Sequence, residues 1–222
     1  MPRCPVYEHG VRTDDKVAIT FDDGPNPPQT EQVLRILAAA DVRATFFVLG
    51  KWVDLFPRTI DRILAAGHLI GNHGYSGQGR LGDYDAAEAA IAHIVGWPSR
   101  YLRPHTLNYG AYFQSVVARL PNSRVIGVEI DSGDWETTAD GAPLLTADEI
   151  VRRVVDHAAL GPGSIILFHD GAEWEDASSR LRRPQSMIAA LPRIIATIKA
   201  RGLTPVSLDD MALDEPIEWR WT

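Results

Sequence analysis

The stretch Lys16-Val-Ala-Ile-Thr-Phe-Asp-Asp-Gly-Pro25 joins a continuous apolar run to two adjacent carboxylates and a turn. Residues 16–21 predict a buried β-strand, since an unbroken apolar run is typical of strands that are covered on both faces. Gly24-Pro25 predicts a tight turn that ends this strand. In parallel α/β proteins the working side chains lie just past the carboxyl ends of the strands. Asp22 and Asp23 are therefore predicted to be functional residues.

Beyond this strand the sequence alternates between strand and helix patterns. Further strands are predicted at residues 42–48, 68–72, 100–103, 125–130, 163–168 and 204–208. Helical spacing of apolar residues occurs at residues 29–40, 57–66, 84–95, 112–120, 146–159 and 187–200. Repeated strand–helix units predict a parallel sheet, either barrel-like or doubly wound. No linker interrupts the pattern, so we expect one domain over residues 1–222, with its core at about 16–211.

Two segments fall outside this alternation. Residues 170–184 are rich in charge and form either an active-site loop or a surface insertion. The tail after Asp214, which contains Trp219 and Trp221, is expected to pack on the body of the protein.

Composition and charge exclude several classes of protein. The 222 residues are 45% hydrophobic and 23% charged, which is ordinary for a soluble globular domain. The formal net charge is −7 and lysine and arginine form no cluster, so we expect no nucleic-acid partner. The single cysteine, Cys4, cannot form an intramolecular disulfide. No apolar run resembles a signal peptide or a membrane span, so the sequence predicts a cytoplasmic protein without a membrane partner.

Side chains that can carry chemistry follow five of the predicted strands. They are Asp22, Asp23, His73, Arg103, His105, Asp131, Asp134, Trp135, His169 and Asp170. Because the carboxyl ends of parallel strands share one rim, carboxylates, imidazoles and one guanidinium are predicted to converge there. Any one of them could be a loop cap or a solvated charge, but together they indicate an active site.

These residue types suit acid–base chemistry beside a cation. Of the adjacent Asp22 and Asp23, one can bind a cation while its neighbour, turned the other way, acts as the general base. Arg103 could pair with the base carboxylate and keep it ionised. His73 is a candidate metal ligand, because neutral imidazole is the commonest metal ligand in proteins.

A second group of residues suits proton donation and substrate contact. His169 follows an apolar strand and is a candidate general acid. Asp134 could orient it and raise its pKa, as a paired carboxylate does for an imidazolium. Trp135 offers an apolar wall for a sugar ring or an acyl methyl group.

Several motifs occur in an order typical of one family. They are Thr20-Phe-Asp-Asp-Gly-Pro25, Ala44-Thr-Phe-Phe-Val48, Gly71-Asn-His73, Asp131-Ser-Gly-Asp-Trp135, Ile166-Leu-Phe-His-Asp170, Ala190-Leu-Pro-Arg-Ile-Ile195 and Ser207-Leu-Asp-Asp210. The set resembles the polysaccharide deacetylases (NodB-homology domain, carbohydrate esterase family 4). This resemblance implies a distorted (β/α) barrel of about seven parallel strands. It also implies metal-dependent removal of acetyl groups from N-acetylated sugars.

The resemblance also implies roles for individual residues. By motif position, Asp22 is the base and His169 the acid, while Asp23 and His73 bind a divalent metal such as zinc. The resemblance further implies Arg103 and Asp134 as tuning residues and Leu167 with Trp135 as the acetyl pocket. Tyr109 is a further candidate substrate contact.

Two motifs depart from the family pattern. The family's second motif usually has another histidine four positions after the first, and here that position is Gly77. The third motif usually reads Arg-Pro-Pro-Tyr/Phe-Gly, and here residues 103–110 read Arg-Pro-His-Thr-Leu-Asn-Tyr-Gly. Either His105 replaces a proline of the motif or a short insertion precedes Tyr109-Gly110. A catalytic zinc normally keeps three protein ligands, so one donor is missing. His105 could complete the site with Asp23 and His73, or it could be a substrate contact or a surface residue.

Three functions are compatible with these residues. The first is a deacetylase that acts on a small N-acetylated sugar or a glycosylated metabolite, and the expected partner is a small-molecule or oligosaccharide substrate. The second is a metal-free isomerase, lyase or cyclase that uses Asp22 and His169 for proton transfer. The third is a pseudoenzyme that binds a sugar. The four residues Asp22, Arg103, Asp134 and His169 favour an enzyme, since a pure binding protein does not need that set.

Overall fold

The structure is a computed structural model that describes residues 4–78, 82–107, 111–138, 142–172 and 184–219. In these residues the strands are β1 (Cys4–Tyr7), β2 (Lys16–Gly24), β3 (Thr45–Val48), β4 (Leu69–Asn72), β5 (Tyr101–Leu102), β6 (Arg124–Ile126), β7 (Ile130–Asp131), β8 (Ile165–His169), β9 (Thr204–Val206) and β10 (Ile217–Trp219). The helices are α1 (Gln29–Ala39), α2 (Gly50–Leu55), α3 (Pro57–Ala65), α4 (Asp83–Val95), α5 (Ala111–Arg119), α6 (Ala147–Val155) and α7 (Gln185–Ala200).

The strands form one sheet in the order β10-β1-β6-β5-β4-β3-β2-β8-β7, with β9 beside the first residues of β2. Among the described strands every pairing is parallel except that between β1 and β10. The sheet curves into a half-barrel that is surrounded by helices. This confirms the predicted distorted (β/α) barrel. The pairing of β10 with β1 also confirms that the described part of the tail packs on the body.

The predicted strand at residues 125–130 is two strands in the structure. β6 pairs with β1 and β5, whereas β7 pairs with β8 at the far end of the strand order. Between them the chain passes from β1 to β8, since the main-chain N–H of Gly127 donates to the carbonyl of Tyr7 and that of Glu129 donates to the carbonyl of Ile165. One apolar run thus supplies strands to two separate parts of the sheet, and composition alone could not show the break.

The predicted helices are present, with changes at their ends. The capping box of Thr146 and Glu149 begins α6 as predicted, but the helix ends at Val155 rather than at residue 159. Helix α2 was not predicted from the sequence, because its six residues are too few to show a helical period. None of the helices in the described ranges is long and apolar enough to cross a membrane.

Strand β2 lies at the centre of the fold and all its residues except Lys16 are buried. On one face, Phe21 stacks on Phe46 with ring centroids 4.9 Å apart and contacts Phe168 at 5.7 Å. These rings belong to the large apolar cluster that also includes buried side chains of α1, α6 and α7. Dense packing on the helix side fixes the direction in which β2 delivers its last residues.

A bulge at the end of β2 sets the position of both carboxylates. The pairing register with β3 shifts between Asp22 and Gly24, and Asp23 has a positive φ of 68°. The loop after β8 packs directly on this bulge. A Cβ atom placed on Gly171 would lie 2.1 Å from the main-chain oxygen of Asp23. Only glycine allows this approach, so residue 171 helps to hold the bulge.

We expect Gly171→Ala to destabilise the protein by about 1–3 kcal/mol, the usual cost of overpacking, because the two loops must separate. Gly161→Ala is the matched control, since its Cβ would meet only one atom, at 3.9 Å. Urea denaturation of both variants measures the difference. Equal stabilities would show that the contact between the two loops is not a constraint.

Candidate active site

The buried pair of Asp22 and Arg103 is the first part of the site. Arg103 Nη1 lies 2.8 Å from Asp22 Oδ1, and both side chains are almost completely buried. The other donors of the guanidinium also have partners: Thr20 Oγ1 at 2.9 Å, Gly127 O at 3.0 Å and Ile126 O at 3.4 Å. The predicted pairing of Arg103 with the base carboxylate is present, and it leaves Asp22 Oδ2 for other contacts.

The second part of the site is the pair of Asp134 and His169. Asp134 Oδ1 lies 2.9 Å from His169 Nδ1, and Oδ2 accepts the main-chain N–H of His169 at 2.8 Å. Ser132 Oγ donates to the same Asp134 Oδ1 at 2.9 Å. A carboxylate can only accept, so Nδ1 carries the proton in this pair and Nε2 is left for chemistry. The geometry is the one expected if Asp134 orients His169.

Asp22 and His169 are neighbours in the sheet. They are register partners on β2 and β8, which are adjacent parallel strands. Each is held by its own ion pair, so the two groups are positioned independently of one another. A carboxylate and an imidazole at neighbouring strand ends can remove and deliver protons on one small substrate.

Asp22 and Asp23 both face His73, contrary to the prediction that they turn in opposite directions. His73 Nε2 lies 3.5 Å from Asp22 Oδ2 and 3.6 Å from Asp23 Oδ1. The reason is the bulge, since the left-handed backbone of Asp23 cancels the alternation of side chains along the strand. Sequence alone gave no sign of it.

The protonation of His73 fits a bound cation. Its Nδ1 lies 3.0 Å from the carbonyl oxygen of Arg103, which can only accept, so Nδ1 carries a proton. Burial lowers the pKa of His73, although the charges of Asp22 and Asp23 oppose this effect. A neutral His73 therefore points the Nε2 lone pair at two carboxylate oxygens. The lone pair and the two carboxylate oxygens repel one another. A cation bound between them would be coordinated by these atoms and would remove the repulsion.

His105 lies on the same side as these groups. Single donor atoms of Asp23, His73 and His105 all fall within 4.8 Å of one another. His105 Nδ1 is 3.9 Å from Asp23 Oδ1, and the two imidazole rings have centroids 5.3 Å apart. This is the donor set, one carboxylate and two imidazoles, that zinc and similar divalent metals accept.

The predicted substrate contacts are only partly described. Leu167 is buried in β8, and Trp135 is 45% exposed with its Nε1 donating to Asp131 Oδ2 at 3.1 Å. An exposed indole beside the strand ends can contact a sugar ring. Tyr109 lies outside the described residues, as does most of the 170–184 segment.

Four residues of the site were given no role by the sequence analysis. Thr20 and Ser132 brace Arg103 and Asp134, and Tyr84 accepts the main-chain N–H of His105 through its hydroxyl at 2.9 Å. Asp170 is buried, and Thr30 Oγ1 donates to its carboxylate. Of these only Asp170 carried a signal, because it follows a strand end directly.

Comparison with known proteins gives consistent matches. The sequence model described as polysaccharide deacetylase matches residues 9–125. A chitooligosaccharide deacetylase of Rhizobium leguminosarum bv. trifolii is 36% identical over 212 residues, which is 91% of this chain and 94% of that protein. A crystal structure of the Bc1960 peptidoglycan N-acetylglucosamine deacetylase has a TM-score of 0.79 at 29% identity, covering 93% of this chain and 92% of that one.

A further solved structure matches in fold alone. It is a CE4 family pseudoenzyme from Bacillus anthracis, with a TM-score of 0.77 at 20% identity over 93% of this chain and 68% of that one. Because a pseudoenzyme shares this fold, the arrangement of side chains has to carry any argument about activity.

Asp170 should make stability depend on pH. Burial raises its pKa from 3.8 to about 7, with a contribution from the nearby charge of Asp23 and an opposing one from the Thr30 hydroxyl. Between these two values the folded protein keeps a proton that the unfolded chain releases. The proton on Asp170 therefore stabilises the folded protein fully below pH 3.8, and this stabilisation is lost as pH rises through about 7.

We expect Asp170→Asn to flatten this part of the stability profile, because an amide does not titrate. Denaturation of chelator-treated protein across the acidic and neutral range measures the slope. Asp61→Asn, at an exposed position on α3, is the control. If the wild type and Asp170→Asn have the same slope, Asp170 does not keep its proton in the fold.

Proposed function

The chain belongs to the polysaccharide deacetylase family, and from this premise we propose that it hydrolyses the N-acetyl group of short N-acetylated oligosaccharides. The family makes it an amide hydrolase. One observation carries the proposal for this chain: Asp22 and His169 lie at paired positions on adjacent strands, each held by its own buried partner. A pure binding site has no need of two such pairs.

Hydrolysis of an acetamide needs one proton removed and one delivered. Asp22 Oδ1 is bound to Arg103, so Oδ2 takes the proton of the attacking water as its oxygen bonds to the acetyl carbon. His169 Nδ1 is bound to Asp134, so Nε2 delivers a proton to the amide nitrogen as the C–N bond breaks. The products are acetate and a free amino sugar.

Asp23 and His73 would hold a divalent cation in this reaction. The cation supplies positive charge that polarises the acetyl carbonyl and makes the attacking water more acidic.

A short, uncharged oligosaccharide fits the surface of the protein best. The net charge of −7 repels polyanions, and the exposed Trp135 offers one apolar face rather than a long stacking platform. The relative from Rhizobium leguminosarum is named for chitooligosaccharides. The cytoplasmic location and the single domain over residues 1–222 remain predictions, which fractionation and limited proteolysis would test.

The direct experiment offers the purified protein N-acetylated chitooligosaccharides and, separately, peptidoglycan. We expect acetate release and free amino groups from the oligosaccharides, measured by an acetate assay and mass spectrometry. Faster reaction with peptidoglycan would overturn the choice of substrate. Release of acetate from neither, with zinc present, would overturn the proposed function.

We expect Asp22→Asn to lower kcat by several orders of magnitude, because an amide cannot accept the proton. It also leaves Arg103 buried without a countercharge, which costs about 3 kcal/mol or more, so rates have to be corrected for the folded fraction. Thr20→Val weakens the same region but keeps both carboxylates, and it should lose far less activity. An Asp22→Asn variant with more than about a tenth of the wild-type rate would exclude Asp22 as the base.

Asp134→Asn should shift the alkaline limb of the pH–rate profile to lower pH. The imidazolium of His169 loses its carboxylate partner at 2.9 Å, so it gives up its proton more readily. The profile of kcat against pH for the wild type and the variant makes the comparison. An alkaline limb that stays in place would show that another group delivers the proton.

A further inference from the structure

We infer that His105 is the third protein ligand of the cation site, so that one ligand comes from each of three strand ends: β2, β4 and β5. The inference rests on the proposed function, since it completes the site that the reaction uses. It concerns a residue of this chain that the family pattern does not supply, because the position where the family has its second histidine is Gly77.

Distances between the donor atoms support this site. Ligand atoms about 2.0–2.1 Å from a tetrahedral zinc lie roughly 3.3 Å from each other. Asp23 Oδ1 is 3.6 Å from His73 Nε2 and 3.9 Å from His105 Nδ1. All three donor atoms lie within 4.8 Å of one another, so they surround one position at which a single ion could contact each of them.

The loop after β4 is folded so that residue 77 cannot supply the third ligand, which must come from another part of the chain. Residues 75–78 form bends rather than the helical turn that a histidine four residues after His73 would require. Asp83 at the start of α4 fixes the loop by accepting the main-chain N–H groups of Tyr75 and Ser76 at 3.1 and 3.0 Å. Gly77 has a φ of 77°, a conformation that disfavours any side chain there.

His105 is held where the ligand is needed. Its main-chain N–H donates to the hydroxyl of Tyr84 at 2.9 Å, and Tyr84 is buried with its ring against Phe113. The carbonyl of Tyr84 also accepts from Asn72 Nδ2 at 2.9 Å, next to His73. The first turn of α4 therefore fixes the main chain beside both histidines, and Tyr84 is a positioning residue for the pair.

Metal affinity tests the assignment of His105 without any substrate. Chelator-treated wild-type protein is titrated with zinc by calorimetry, beside His105→Ala, His105→Gln and the control His93→Ala on the exposed side of α4. Loss of an outer-shell partner typically costs about 10–100-fold in affinity, so loss of a ligand should cost about 100-fold or more. Zinc should also raise the Tm of the wild type and of His93→Ala, but not of the His105 variants.

Two outcomes would overturn the inference. One is a wild-type protein that binds no zinc at micromolar concentration. The other is a folded His105→Ala or His105→Gln variant, checked by circular dichroism, that binds zinc as tightly as the wild type. Acetate release by the wild type is measured separately. Zinc binding through His105 without deacetylation would overturn the proposed function and leave the metal site standing.

The variant Tyr84→Phe tests whether Tyr84 positions His105 for metal binding. It removes only the hydroxyl that holds His105, and zinc affinity should fall by about 10-fold or more. Tyr101→Phe removes another largely buried hydroxyl, bound to Asp209, and should change stability without changing zinc affinity. Equal zinc affinities in the two variants would overturn the role of Tyr84.

Discussion

The guanidinium of Arg103 is the constraint on which the active site depends. A fully buried charge is stable only if its donors are satisfied, and here they bind a carboxylate and a hydroxyl of β2, the main-chain carbonyl of the last residue of β6 and that of the residue after it. Its flat face also lies over the ring of Phe47, 4.1 Å from the centroid. One side chain thus joins the central strand to the end of β6 and to the residue that follows it. The charge that pairs with Asp22 therefore also links β2 to the end of β6.

Much of the fold could be predicted because its signals are local. Long buried strands such as β2 and β8 are visible as apolar runs, and the capping box of Thr146 and Glu149 marks the N-terminus of α6. The break between β6 and β7 could not be predicted, since both halves are apolar and only their partners differ. The short helix α2 could not be predicted either. Its six residues are too few to show a helical period of apolar residues, and it is held by packing on α4.

The sequence predicted which residues form most of the site, but it predicted less of how their side chains are arranged. Residues that follow strand ends were found because parallel sheets bring those ends together. The common direction of Asp22 and Asp23 was not found, because it depends on one left-handed residue. Tyr84 and Asp83 were not found either. They sit in a helix, and their role comes from two loops that approach the helix from elsewhere in the chain.

The long sequence separation within the paired residues bears on how the chain folds. Asp22 and Arg103 are 81 positions apart, and Asp134 and His169 are 35 apart. β2 meets β8 only after most of the polypeptide has been synthesised, so a nascent chain exposes an apolar central strand that still lacks one neighbour. Contacts of such high order form slowly. Catalytic competence should accordingly be among the last properties to appear during refolding, well after helical content has returned.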